Sequence, residues 1–187
     1  MSKLKDWTTR DILITAVLGI ILGLLSTAVD YAYTTADAAL GPLLAQTLIG
    51  ITIFTALFIP FVVRCPLAAL VGMLIIGLVQ VPFSPNGIFS LVVAVIYGLF
   101  VEIAFALTRY RRYGLPMLMS TACVVAAIGL GIGYVPNGVH LTAVSLQLLL
   151  WGLVLGSILL GAWLVTVLAN SLTQSGIMTV TLSSRES

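Results

Sequence analysis

Apolar residues dominate this chain in long blocks, and polar residues fall mostly in short gaps between them. A helix needs about 20 apolar residues to cross a hydrocarbon core of about 30 Å. Six blocks reach or approach that length: 12–33, 43–63, 67–81, 88–108, 115–135 and 145–172. The pattern predicts an all-α membrane protein, a six-transmembrane-helix bundle in one membrane domain covering 1–187. The third block is short and is expected to stand upright; the sixth is long and is expected to tilt. The first block exceeds the apolar core of a cleavable signal, about 7–15 residues, and reads as a true span. Thr8 and Asp11 have capping-box spacing before it. Gly41-Pro42 opens the second block and Pro66 the third. Pro82, Pro85, Asn86 and Gly87 predict a tight turn, and Pro136, Asn137 and Gly138 another.

Charge gives the bundle a direction. Lys3, Lys5 and Arg10 precede the first span, Arg64 follows the second, Arg109, Arg111 and Arg112 follow the fourth, and Arg185 lies in the tail. With six spans, all of them fall on one side. Cytoplasmic loops carry the excess of Lys and Arg, so both termini are expected in the cytoplasm of a multi-pass protein of the cell (plasma) membrane. The outward loops are then 34–42, 82–87 and 136–144, with Asp37, Ser84, Asn86, Asn137 and the lone histidine His140.

Composition narrows the function. Of the 187 residues, 60% are hydrophobic and 7% charged, against about 25% charged in soluble domains. The expected solvent is the lipid bilayer. A net charge of +2 without an aromatic-interleaved basic stripe gives no reason to expect nucleic acid. The sequence has no phosphate-binding GxxxxGK[ST] loop, no HExxH and no GxSxG. A self-energised pump or a membrane enzyme is therefore not expected, nor is a cofactor or a metal site. Cys65 and Cys123 form no ligand pattern and read as small packing residues.

Polar side chains at membrane depth are costly and frequently functional. Asp30 lies near the outer end of the first span beside Tyr31 and Tyr33; it fits ligand contact as well as a solvated helix end. Gln46, Gln80 and Gln147 share the outer level and suggest a polar cavity, with interhelical hydrogen bonding as the alternative. Tyr97, Tyr134 and Trp151 could line that cavity or sit in an interfacial belt. The candidate substrate-binding set is Asp30, Tyr33, Gln46, Gln80, Asn86, Tyr97, Asn137, His140, Gln147 and Trp151. Glu102 lies about 10 Å from the cytoplasmic end of the fourth span. It reads either as a carboxylate bonded to a neighbouring helix or paired with a cytoplasmic Arg, or as a substrate or coupling carboxylate. Thr15, Gly19, Gly23 and Thr27 form a small-residue stripe, suited to close packing inside the bundle or to a partner subunit.

Two stretches carry a family resemblance. One is Gly98-Leu99-Phe100-Val101-Glu102, continuing through Phe105-Ala106-Leu107-Thr108-Arg109-Tyr110-Arg111-Arg112-Tyr113-Gly114-Leu115-Pro116. The other is Arg64-Cys65-Pro66-Leu67-Ala68-Ala69-Leu70, similar to an Arg-Lys-Pro-Gly-Ala-Ala-Leu turn. Together they resemble the substrate-binding S components of energy-coupling factor (ECF) vitamin transporters, of the YkoE-like family, over about 11–178. The resemblance implies a six-helix module that captures a vitamin outside. Its partners would be a transmembrane coupling subunit and two cytoplasmic ATPases, with Thr15, Gly19 and Gly23 as the docking stripe. Such proteins usually carry Glu where this chain has Met73, and Trp where it has Thr52. The missing carboxylate shifts the expected vitamin to cobalamin. Thiamine or hydroxymethylpyrimidine is the alternative, and a stand-alone channel or facilitator for small solutes is the reading outside this class.

Overall fold

The computed structural model describes residues 7–40, 46–108, 110, 114–133 and 144–174. Six α-helices fill these segments: α1 Thr9–Leu40, α2 Ile49–Val63, α3 Ala68–Phe83, α4 Ile88–Leu107, α5 Leu115–Gly133 and α6 Val144–Gln174. A 3₁₀ turn, Gln46–Leu48, leads into α2. No strand occurs among the described residues. The all-α, six-helix expectation is borne out.

Helix α2 occupies the centre. It packs against α1, α3, α5 and α6, and less extensively against α4. Its sequence, IGITIFTALFIPFVV, is apolar on every face, and residues 53–61 are all buried. A helix apolar all round must be enclosed by others. The three helices long and apolar enough to cross a membrane are α1, α4 and α6. They turn rows of large apolar side chains outward, including Leu13, Ile21 and Leu24 on α1, Leu99 and Ile103 on α4, and Leu160 and Leu164 on α6. Water would not tolerate so much contiguous apolar surface on a monomer; hydrocarbon does. At 15 residues, α2 spans about 22 Å, less than the hydrocarbon thickness.

Two boundaries differ from the sequence expectation. The polar pattern predicts an outward loop over 34–40, but α1 runs on to Leu40. Alanines 32, 36, 38 and 39 favour helix. Thr34 and Thr35 return their hydroxyls to the Tyr31 carbonyl at 3.0 and 2.8 Å, which satisfies them within the helix. At the other end of the pair, Pro82 lies in the last turn of α3 rather than in the turn that follows it. The turn itself, Ser84–Gly87, is closed by Gly87 N donating to Ser84 O at 3.0 Å, with Gly87 at φ 54°.

The expected capping box is present. Asp11 N donates to Thr8 Oγ1 at 3.2 Å, and Thr8 N donates to Asp11 Oδ2 at 3.2 Å. Trp7 Nε1 donates to Pro66 O at 2.9 Å, tying the start of α1 to the α2–α3 turn.

The small-residue stripe, expected either to pack within the bundle or to dock a partner, packs within the bundle. Thr15, Gly19 and Gly23 are buried. A Cβ on Gly19 would come within 2.7 Å of Ile75, and one on Gly23 within 2.8 Å of Val79, both on α3. The stripe lets α1 and α3 approach closely, and that contact already occupies it. A second close crossing joins α2 to α6, where a Cβ on Gly161 would collide with the Gly50 carbonyl oxygen.

Candidate functional site

A cavity of about 140 Å³ lies among α1, α2, α3 and the start of α4. Helix α1 contributes Ser26 and Asp30; α2 contributes Thr52 and Thr55. Met73, Ile76 and Gln80 come from α3, while Asn86, Phe89, Ser90, Val93 and Ala94 come from the turn and the first half of α4. The up-and-down helix order puts these residues toward the end opposite Arg10 and Arg64. In the orientation expected from the basic residues, that is the outer half.

Asp30 organises the rim. Gln80 Nε2 donates to its Oδ2 at 3.0 Å and Ser84 Oγ to the same oxygen at 2.6 Å. Ser84 Oγ also accepts from Asn86 N at 3.2 Å and from Ser90 Oγ at 3.1 Å. One half-buried carboxylate thus holds α3, the α3–α4 turn and, through Ser84, the start of α4. The Asn86 side chain also hydrogen-bonds the carboxylate. A carboxylate at a cavity rim can also accept from an incoming N–H or O–H group, and such charge-assisted bonds are roughly twice as strong as neutral ones.

The sequence-selected residues divide unevenly. Asp30, Gln80 and Asn86 converge on the cavity. Tyr33 is half-buried about one turn beyond Asp30 on α1, outside the lining. Tyr97 and Trp151 are half-buried against the apolar core, and Gln147 is half-buried on α6; none of the three lines the cavity. The Gln46 side chain, Asn137 and His140 lie outside the described residues, as does Tyr134. Sequence reading did not select Ser26, Thr55, Phe89 or Ser90. Two further lining residues, Thr52 and Met73, are the positions at which the chain departs from the resembled family, so the departures sit in the cavity wall. Among the described residues, no group of three or more His, Cys, Asp or Glu is placed to hold a metal ion.

Glu102, the second membrane-depth carboxylate, lies at the opposite end and is buried. Its Oε1 accepts from Leu67 N at 2.7 Å and its Oε2 from Ala69 N at 3.1 Å, at the start of α3. The Tyr110 hydroxyl donates to Oε1. A helix start presents unpaired N–H groups and a partial positive charge, both of which a carboxylate satisfies. Burial, and then the hydrogen bond to Glu102, push the Tyr110 phenol up to about 12. Of the two sequence readings of Glu102, the geometry matches a bond to a neighbouring helix. That bond also joins the two stretches that carry the family resemblance.

Comparison with known proteins agrees with this fold. A crystal structure of an S component of an ECF transporter superposes with a TM-score of 0.77, covering 92% of this chain and 88% of that one at 24% identity, which establishes the fold. A Bacillus subtilis protein provisionally named HMP/thiamine permease protein YkoE is 28% identical over 117 residues. That match takes in 62% of this chain and 59% of the relative's length. The resemblance read from the two motifs is therefore borne out. The family model described as "ABC-type cobalt transport system, permease component" matches residues 10–128. The chain belongs to that family of transporter permease components.

Proposed function

We propose that this protein is the substrate-capturing S component of an ECF-type transporter of the cell membrane, and that its substrate is a small nitrogen heterocycle of the aminopyrimidine kind. The observation that carries this reading is the Asp30 cavity: one carboxylate and several hydroxyls and amides in an otherwise apolar wall. An aminopyrimidine presents N–H donors to such a carboxylate and a flat apolar face to Phe89, Ile76 and Met73. The relative's name supports the same class. Cavities that enclose drug-sized ligands run from about 300 Å³ upward, and this one is about 140 Å³. That favours a single ring over cobalamin, the vitamin expected from the loss of the family carboxylate; Asp30 supplies a carboxylate from a different helix. Cobalt as the free ion finds no three-ligand donor set among the described residues.

Capture would take place on the face opposite the basic loops, and ATP hydrolysis would belong to two partner ATPases acting through a coupling subunit. Calorimetric titration of the purified chain with hydroxymethylpyrimidine, thiamine and cobalamin tests the substrate. Binding of a pyrimidine without ATP is expected, and tight binding of cobalamin alone would overturn the assignment. Uptake into proteoliposomes should require the coupling subunit and ATPases. Flux through this chain by itself would instead identify a facilitator.

A further inference from the structure

Helix α1 directs three buried hydroxyls inward, and they are not equivalent. Thr15 Oγ1 donates to Asp11 O at 2.8 Å and Thr27 Oγ1 donates to Gly23 O at 2.9 Å. Each uses the carbonyl one turn back, the ordinary partner for a hydroxyl inside a helix. Ser26, adjacent to Thr27, does not. Its side chain is 7% exposed, its Oγ has no hydrogen-bond partner among the described residues, and it lines the cavity. A buried hydroxyl left unpaired is costly, and alanine would avoid that cost in an apolar wall. The neighbouring hydroxyls are already committed: Thr55 Oγ1 donates to Thr52 O at 2.8 Å and Ser90 Oγ to Ser84 Oγ at 3.1 Å. Ser26 also precedes Asp30 by four residues, which puts the two side chains on one helix face, about 6 Å apart, with Ser26 one turn deeper.

We infer that Ser26 is a ligand-contacting, specificity-determining residue. With Asp30 it reads a small planar heterocycle at two points. Asp30 accepts an N–H from one edge of the ring, and Ser26 exchanges a hydrogen bond with a second polar group, a ring nitrogen or a hydroxyl, one helical turn deeper. A ring with a hydrocarbon edge in place of that second group would leave the hydroxyl buried and unpaired, and would be rejected for that reason. This assignment rests on the reading of the cavity as a substrate site and adds a second contact to it.

The test uses the full-length purified chain in detergent, wild type and Ser26→Ala, titrated with hydroxymethylpyrimidine and followed by thermal melting without ligand. The expected result is affinity lower by about tenfold in Ser26→Ala, with an unliganded Tm equal to or above that of wild type. Ser26→Cys, which keeps the size and weakens the donor, should lose affinity in the same direction and covers the case in which the alanine variant folds poorly. Unchanged affinity with a raised Tm would overturn the inference, since the hydroxyl would then be merely unpaired or hydrated. Failure of the wild type to bind any pyrimidine would overturn the substrate reading itself, and the contact along with it.

Discussion

The two ends of the bundle each hold an acidic side chain at membrane depth, and the two are treated in opposite ways. At the basic end, Glu102 is enclosed and met by two backbone N–H groups and a phenol. It completes a helix start and fastens the α2–α3 turn to α4 and to Tyr110. At the other end, Asp30 is half-buried, its partners are side chains of the rim, and it borders a cavity with an unpaired hydroxyl. Saturated hydrogen bonding around a buried group rigidifies a site, whereas incomplete bonding leaves capacity for something that arrives later. The first arrangement belongs to architecture and the second to recognition. Residue type and depth alone do not distinguish them.

The contrast can be broken by exchanging stability for affinity. The largest effect is expected from Glu102→Ala, which leaves the Leu67 and Ala69 N–H groups unsatisfied in a buried setting. At about 1–3 kcal/mol for each lost partner, the loss of stability should be about 3 kcal/mol, read as a lowered Tm in detergent, while ligand affinity in the surviving folded fraction stays near wild type. Asp30→Asn should behave inversely. Removing the charge is expected to weaken binding of a pyrimidine ligand about 10- to 100-fold, from the about 1.5–3 kcal/mol of a hydrogen bond to a charged group. Its Tm should move less than that of Glu102→Ala. If Asp30→Asn unfolds the protein and Glu102→Ala abolishes binding at constant Tm, the two roles are assigned the wrong way round.

Much of this contrast was within reach of the sequence, though not its partners. Six apolar blocks, the capping box at Thr8 and Asp11, and the confinement of Lys and Arg to alternate connections follow from local composition, and the helices appear where composition places them. Asp30, Gln80 and Asn86 could be grouped because all three sit at one level of their spans. Gln147 shares that level but faces other neighbours, and Tyr97 and Trp151 pack on the core; level along the membrane normal does not fix rotation about the helix axis. The Glu102 partners were illegible for a different reason. They are backbone N–H groups of Leu67 and Ala69, and a backbone donor has no signature in residue identity. Ser26 was hidden too, because a serine beside a threonine within an apolar helix looks like ordinary back-bonding until the cavity is seen. The stripe of Thr15, Gly19 and Gly23 announced a close approach correctly, but the approaching helix proved to be α3 of the same chain.

A pH series sharpens the account of the basic end. The Tyr110 phenol, ordinarily near 10.0, is pushed up to about 12 by burial and by its bond to Glu102. The folded state therefore keeps a proton that the unfolded chain releases. The stability associated with this group is complete below pH 10 and is lost as pH rises toward 12. Tyr110→Phe cannot show that loss. Its Tm should fall less between pH 9 and pH 11 than the wild-type Tm, as far as this group contributes; equal falls would place the phenol outside the Glu102 network.

The smallest effect expected is a gain. Leu67 adopts φ 65° and ψ 7°, a left-handed conformation that costs a residue with a Cβ roughly 1–2 kcal/mol. Its side chain is 53% exposed, so little buried apolar contact offsets that cost. The backbone is held there by Glu102, which accepts from Leu67 N and from Ala69 N two residues on and so fixes the turn between them. The resembled family turn carries glycine at this place, the residue with no penalty for positive φ. Leu67→Gly removes the local strain, but it also gives the unfolded chain more freedom, which takes back part of the gain. The net expectation is a stabilisation of about 0.5–1 kcal/mol, measured as a raised Tm, with ligand affinity unchanged. The double variant with Glu102→Ala gives the decisive comparison. If Glu102 enforces the strained turn, glycine at 67 should stabilise the Glu102→Ala background by less than it stabilises wild type, because a turn released from its carboxylate can already relax. Equal gains in the two backgrounds would mean that the turn is shaped by the chain around it and that Glu102 only caps α3.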